Sequence, residues 1–239
     1  MKAVGYYDHD IDWVEEDLTL FSGVANPFHF VKIKPHENVL DVGCGVGVDT
    51  LIAAQYTDGL VYGLDPCENE VLLAREIAKE KKCDPTRVKF CQSGIKDGLQ
   101  ALKGKQFEVI ISNGSYCLFE GKEDMFGLLY ETLAPEGRLV LCKTVLKSES
   151  LAEDLEIPGL EKLIHLDSLK PLLEGAGFKN VVIDMSSSKM KFDVEYDRPG
   201  REGKTQSTVQ LGPEAFTNPD LGFASVNDVL ARVTIMADK

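Results

Sequence analysis

The chain has 239 residues, enough to bury a substantial core as one domain, and its 44% hydrophobic and 27% charged content is that of a folded globular protein rather than a disordered one. Its 39 acidic against 26 basic residues leave a formal net charge of -13, which repels phosphate backbones and anionic lipid and argues against nucleic acid or membrane as a partner. No apolar run reaches the about 18 residues of a membrane span, the start MKAVGYYDHDID has no signal-peptide core, and six cysteines without a CxxC point to neither a zinc site nor a disulfide framework, so a cytoplasmic location is expected.

Residues 1–30 mix aromatic and acidic side chains without a clean period, and the tract from Asp12 to Phe21 reads as a short helix that Asn26-Pro27 breaks. A strand is expected from Asn38 to Val42, a helix from Val48 to Gln55, and a second strand from Leu60 to Leu64. Val71, Leu72, Ala74, Ile77 and Ala78 share one face of a helix from Glu68 to Lys81, which ends in the solvated basic run KEKK. Val88 to Gln92 is a third strand and Phe107 to Ser112 a fourth, the latter apolar throughout as a strand covered on both faces must be. Helix follows from Glu123 to Leu133, then a turn at Pro135-Glu136-Gly137 and a fifth strand from Arg138 to Lys143. A helix from Asp167 to Gly175, a sixth strand from Phe178 to Met185 and a seventh from Val229 to Met236 complete the alternation. Residues 186–228 form a polar, Gly/Pro-punctuated excursion, in which the alternation at Lys191–Tyr196 and Ser207–Leu211 predicts a small hairpin or lobe over the active face. Strand and helix periods that alternate over this length imply an α/β fold, a Rossmann-like doubly wound sheet of seven strands with helices on both faces.

The densest chemistry lies in VLDVGCGVGVD, from Val39 to Asp49, and in VYGLD, which ends at Asp65. Gly43, Gly45 and Gly47 allow a tight turn and a close approach of backbone amides to a ligand. An acid about 20 residues on, at the tip of the next strand, can accept both hydroxyls of a ribose. A nicotinamide site wants GxGxxG with a diphosphate on the helix amino end, but the sixth position here is Val48. Asp41 would also repel a diphosphate, whereas it would favour a cofactor bearing an ammonium and a sulfonium. S-adenosylmethionine fits that charge pattern better than NAD.

With these residues the chain resembles the class I S-adenosylmethionine-dependent methyltransferases. Gly23-Val24-Ala25-Asn26-Pro27, IKPHENVLDVGCGVGVD, Ile111 to Ser115, LAPEGRLVL and EIPGLEKL before EGAGF are similar to the arsenite methyltransferase-like branch. The resemblance implies a mostly parallel sheet whose last strand runs antiparallel, one domain over 1–239, residues 1–30 as an amino-terminal lid, and S-adenosyl-L-homocysteine as the product form of the cofactor. It also marks a departure. Val24 and Leu160 stand where that branch has cysteines, and a thiolate site for trivalent arsenic needs several soft ligands. An unidentified small-molecule acceptor is expected in its place.

Ligands of open sheets bind at the carboxyl ends of the strands. That rule and the resemblance assign to the cofactor Asp41, Gly43, Cys44, Gly45, Gly47, Asp49, Asp65, Pro66, Ser93, Gly94, Ile95, Asn113 and Gly114. Asp65 is assigned to the ribose hydroxyls, with an acid that caps a loop as its structural alternative; Ser93 to Ile95 stand where the family has an acid for the adenine amino group. Tyr6, Ser115, Cys117 and His165 are expected to line the acceptor. His9, with Tyr7 beside it, is a candidate base near neutral pH, against a solvated His9 and tyrosines that merely pack. Transfer to an acceptor that is already nucleophilic needs alignment more than a base. No metal site and no GxSxG elbow are expected, and a homodimer is allowed. A nicotinamide oxidoreductase and a noncatalytic binder on the same fold remain open alternatives.

Overall fold

The computed structural model describes residues 1, 4–14, 21–115, 122–147, 163–186, 192–195, 208–211 and 230–239. The strands are β1 (Val39–Val42), β2 (Val61–Asp65), β3 (Val88–Gln92), β4 (Phe107–Asn113), β5 (Leu133–Leu146), β6 (Lys179–Asp184), β7 (Phe192–Glu195), β8 (Thr208–Leu211) and β9 (Leu230–Asp238). The helices are α1 (Asp8–Val14), α2 (Val48–Tyr56), α3 (Glu68–Glu80), α4 (Ile95–Ala101), α5 (Lys122–Thr132) and α6 (Leu166–Gly175), with a 3-10 turn at Pro27–His29. Seven strands form one sheet in the order β3-β2-β1-β4-β5-β9-β6. β1 pairs in parallel with β2 and β4, and β9 runs antiparallel to both β5 and β6. The expected doubly wound, mostly parallel architecture is the one observed.

Period-two alternation sorts the strand side chains into two apolar layers. Val39, Val61, Val109, Ile111 and Val140 face one layer, with Leu51 and Ile52 of α2 and Val71, Ala74 and Ile77 of α3. Leu40, Val42, Leu64, Ile110, Leu139 and Leu141 face the other, with Leu99 of α4, Met125, Phe126 and Leu129 of α5, and Leu169 and Leu173 of α6. Each such fully buried aliphatic side chain contributes about 1.5–3 kcal/mol. Because β1 is central and covered on both faces, Asp41 in its middle is carried into the interior.

The amino-terminal segment is more than a cover. Tyr6, Ile11, Val14, Ala25 and Phe28 are buried in the α2/α3 layer, and helix α1 begins at Asp8, four residues before the expected start at Asp12. That start puts Ile11 and Val14 on the inward face; residues 15–20 of the expected helix lie outside the described residues. Helix α4 was not expected. It is only two turns long and contains Gly98, where a Cβ would lie 2.5 Å from a Leu64 methyl, so glycine allows a close crossing at the cost of helix propensity.

At Pro135-Glu136-Gly137 the expected turn is instead a bulge inside a longer strand. Phe107 pairs with Leu133 but Val109 pairs with Arg138, and Glu136 takes a left-handed φ of 59° in the extra chain. Within the 186–228 excursion, β7 and β8 pair antiparallel as the expected hairpin, Phe192 opposite Leu211 and Glu195 opposite Thr208. Most of the remaining excursion lies outside the described residues.

Candidate active site

Strand β1 ends at Val42 and the chain turns through residues 43–47 into α2, with the Gly43 amide 2.7 Å from the Leu64 carbonyl. Gly43 and Gly47 have φ of 75° and 84°, a region that a side chain disfavours. Space forbids one as well: a Cβ on Gly43 would collide with Ser115, and one on Gly47 would lie 2.6 Å from the Phe90 ring. Gly47 is the N-cap of α2 and supplies no side-chain bond to the first helical amides. The turn therefore presents backbone N–H groups at a helix amino end, where they favour an electron-rich ligand group.

Around this turn stand four acids. Asp41, 2% exposed, accepts a 2.7 Å hydrogen bond from Thr50 Oγ1. Burial, followed by the nearby Asp49, pushes its pKa up to about 8 despite the Thr50 bond. Asp49 is raised to about 6 by burial, against the hydrogen bonds from Tyr6 and Asn113 that favour its charge. Asp65 is engaged by the backbone on both oxygens: Oδ2 accepts from the Gly45 amide and Oδ1 from the Cys67 amide, each at 2.9 Å. Glu70, in the first turn of α3, reaches back over Gly45, and burial followed by Asp65 raises its pKa.

Asn113, the last residue of β4, ties the site together. Its Nδ2 lies within hydrogen-bond distance of Asp49 Oδ2 at 2.9 Å, the Tyr6 hydroxyl at 2.9 Å and the Ala25 carbonyl at 2.8 Å, its two hydrogens shared among the three acceptors. Its Oδ1 accepts from the Val24 amide at 2.8 Å. Tyr6 in turn donates to Asp49 Oδ1, and burial and Asp49 hold its hydroxyl protonated well above the ordinary tyrosine range. One carboxamide thus joins the amino-terminal segment, the end of β4 and the start of α2, with every polar group paired as a buried network requires.

Asp41, Gly43, Cys44, Gly45, Asp49 and Asn113 line one cleft of about 50 Å³ together with Phe21 to Gly23. Gly47 faces Phe90, behind that wall. Gly114 continues the Asn113 corner with φ 76° and its amide on the Cys142 carbonyl. Pro66 and Ser93 lie at the neighbouring strand ends, where the Pro66 carbonyl accepts from Gln92 Nε2 at 3.1 Å and the Ser93 amide donates to the Asp65 carbonyl. Gly94 and Ile95 open α4, with Ile95 buried. Ser115 packs over Gly43, while Cys117 lies outside the described residues.

Other expected residues are not brought together. His9 Nε2 lies 3.0 Å from the Tyr56 hydroxyl, at the carboxyl end of α2, opposite to the end that carries Asp49. Its ring stacks on Tyr7, whose hydroxyl meets His29 Nδ1 at 3.0 Å. Neither lines the cleft, so the geometry supports the solvated, packing reading of this pair rather than a base. Tyr6, expected at the acceptor, is a buried strut of the Asn113 network. His165 is the N-cap of α6, accepting from the Asp167 amide.

Two residues were missed. Lys143 is 2% exposed and donates to Ser112 Oγ at 3.0 Å and to the Ser115 carbonyl at 2.5 Å; its signal was a lysine inside the apolar run RLVLCKTVL. Glu70 lines the cleft, and its signal was an acid one helical turn into α3, directly after Asp65 and its loop.

A methyltransferase-domain family model matches residues 33–171. The chain is 30% identical over 220 residues to an arsenite methyltransferase of Halobacterium salinarum, covering 87% of this chain and 55% of that one. It is 29% identical over 170 residues to a phosphoethanolamine N-methyltransferase of Triticum aestivum, covering 68% of this chain and 32% of the relative. The chain thus spans about half the length of the first relative and a third of the second. The fold is similar to that of a SAM-dependent methyltransferase from Thiobacillus denitrificans solved with S-adenosyl-L-homocysteine, with a TM-score of 0.57 at 16% identity over 95% of this chain and 97% of that one.

Proposed function

The chain belongs to the methyltransferase-domain family, and from that premise we propose that it transfers a methyl group from S-adenosylmethionine to a small-molecule acceptor by direct in-line displacement. The observation that carries this reading is Asp41: an acid buried in the central strand, beside a glycine turn, whose ionised form a cationic aminoacyl end would favour and a diphosphate would not. Two further buried acids, Asp49 and Asp65, deepen the negative field of the same cleft.

In this reading the chain's own residues do three things. Asp41 and the Gly43–Gly47 turn hold the aminoacyl end, Asp65 stands on the ribose side, and Pro66 with Ser93 to Ile95 lies beside the adenine. The Asn113 network, with Phe21 to Gly23, lines the cleft and excludes water from the reacting centre. The cofactor supplies an electrophilic sulfonium methyl when bound. Rate then comes from alignment of the acceptor's lone pair with that methyl, which demands no base. We read 1–239 as one methyltransferase unit whose amino-terminal segment borders the cofactor cleft.

For the acceptor we propose a small molecule other than trivalent arsenic, despite the arsenite methyltransferase among the relatives. Position 24 abuts Asn113, and a valine there offers no soft ligand. Cys44 is buried with its thiol pKa raised well above the ordinary value, and burial lifts that of Cys142 to about 12, so neither is a ready thiolate. The formal charge of -13 weighs against a nucleic acid acceptor.

Calorimetric titration with S-adenosylmethionine, S-adenosylhomocysteine and NADH tests the cofactor. Saturable binding of the first two alone is expected; binding of NADH alone, or of none by folded protein, overturns the reading. Release of S-adenosylhomocysteine in an acceptor screen that includes arsenite then tests the chemistry.

A further inference from the structure

We infer that Lys143 is a positioning residue of the cofactor cleft: its buried ammonium holds the corner after β4 against the glycine turn and sets a positive charge within electrostatic reach of Asp41. This inference rests on the methyltransferase reading of the same site.

The starting observation is where the lysine stands. Along β5 its side chain falls on the face of Leu141 and Val145, and its partner across the sheet in β9 is Val233, all members of the apolar layer under α4, α5 and α6. Lysine is almost never fully buried, and a cation taken into such a layer is costly unless its donors are used. Among the described residues Lys143 is the one buried basic side chain. Packing gives no reason for it, so the reason lies in what the ammonium holds.

Register explains its reach. β4 ends at Asn113, which pairs with Cys142, while β5 runs on to Leu146. Lys143 is therefore the first β5 residue past the tip of β4, beside the chain that turns away through Gly114. Its Nζ donates to the Ser115 carbonyl at 2.5 Å and to Ser112 Oγ at 3.0 Å, and Ser112 Oγ donates in turn to the Val42 carbonyl at 2.6 Å. Val42 is the residue before Gly43, and Ser115 packs over Gly43 so closely that a Cβ there would collide with it. One ammonium thus joins β5, the tip of β4 and the start of the glycine turn.

Charge is the second part. The ammonium favours the ionised form of Asp41, in opposition to burial and to Asp49 and Asp65, which raise its pKa. Tyr6 and Cys44, the other titratable groups beside these acids, are held protonated by burial. A cationic aminoacyl end is attracted only to the ionised acid. The lysine that fixes the corner therefore also favours the form of Asp41 that binds.

The test compares wild type with Lys143→Met, Lys143→Gln and Ser112→Ala, each titrated with S-adenosylhomocysteine at a temperature where melting shows it folded. Lys143→Met should bind about tenfold more weakly, the scale of a lost charge-assisted bond, and Ser112→Ala, which keeps the ammonium but removes one acceptor, about threefold. The Lys143→Met/Ser112→Ala double variant should lose less than the product of the two losses, because both act through one chain of bonds. Proton release on S-adenosylmethionine binding at pH 8, from calorimetry in two buffers of different ionisation enthalpy, separates charge from packing. Asp41, with a pKa of about 8, is about half ionised there, and removal of the ammonium raises that value. Lys143→Met and Lys143→Gln should accordingly release up to about half a proton more per site than wild type, and Ser112→Ala should match wild type. Wild-type affinity in Lys143→Met or in Ser112→Ala overturns the positioning role. Unchanged proton release in the two neutral variants overturns the action on Asp41. Lys143→Gln, which keeps a donor without the charge, supplies both readings if Lys143→Met does not fold. Failure of the folded wild type to bind S-adenosylhomocysteine removes instead the methyltransferase reading beneath the proposal.

Discussion

Asn113 and Asp49, 64 residues apart in the chain, are joined by a 2.9 Å hydrogen bond from Nδ2 to Oδ2 that is wholly buried. It links the end of the fourth strand to the first turn of the helix after the glycine turn, and Tyr6 bonds to both partners. The amino-terminal segment is thereby fastened to the two loops that shape the cleft.

Replacing Asn113 by alanine should accordingly cost about 2–4 kcal/mol, because a buried carboxylate, a hydroxyl and backbone groups of residues 24 and 25 lose their partner at once. Tyr6→Phe removes one donor to Asp49 and should cost about 1–3 kcal/mol. Urea unfolding of both variants checks the order, and limited proteolysis of Asn113→Ala should cut first within residues 1–25.

Protonation of Asp41 and Asp49 makes the unliganded protein less stable as pH rises. Their folded pKa values, about 8 and about 6, lie above the unfolded aspartate value, so the native state holds protons that the unfolded chain has released. The contribution is complete below about pH 4, is lost as pH climbs through the two folded values, and is constant above them; the two acids titrate as a pair. Urea midpoints of the unliganded protein should therefore receive a falling contribution between pH 5 and pH 8 that Asp41→Asn diminishes. An unchanged pH dependence in that variant would remove Asp41 from the account.

Cationic cofactor binding should reverse the same equilibrium. An ammonium or sulfonium near Asp41 favours its ionised form, so binding near pH 7 releases protons. Calorimetry of S-adenosylmethionine binding in two buffers of different ionisation enthalpy measures that number directly, and zero release would show that Asp41 does not face the cation.

Asp65→Ala should lose most cofactor affinity and also destabilise the fold by about 1–3 kcal/mol, since the Gly45 and Cys67 amides both lose an acceptor. A variant that melts normally yet binds poorly would instead make Asp65 a ligand contact alone.

His9→Ala is expected to be nearly silent. The ring is mostly exposed, at the opposite end of α2 from the cleft, so turnover followed by S-adenosylhomocysteine release should stay within about twofold of wild type, the scale of a surface substitution. A large fall in turnover without loss of cofactor affinity would return His9 to the reaction.

Local signals account for what could be read in the sequence. The apolar blocks at Val39–Val42, Phe107–Ser112 and Arg138–Lys143 are strands because a sheet covered on both faces needs them, and the three glycines of the turn answer steric demands visible one residue at a time. Helix α4 escaped because it is only two turns long and carries Gly98, a poor helix former, where it crosses Leu64, and the bulge at Glu136 because pairing register is set by the neighbouring strand. His9 stood out as a candidate base only through its residue type and its place beside Tyr7 in the chain; the fold sends its ring toward Tyr56 and the Tyr7 hydroxyl toward His29.

By itself the sequence determined the α/β class, the strand that carries Asp41, the glycine turn and the acid that follows it, since each depends on residue type and spacing within a few tens of residues. The tertiary structure alone decided how the polar groups of the site are partnered. Asp65 is bonded to two amides, Asn113 to an internal network, and Lys143 to the corner after β4, because hydrogen-bond partners are distributed by contacts between segments far apart in the chain, and no local pattern encodes them.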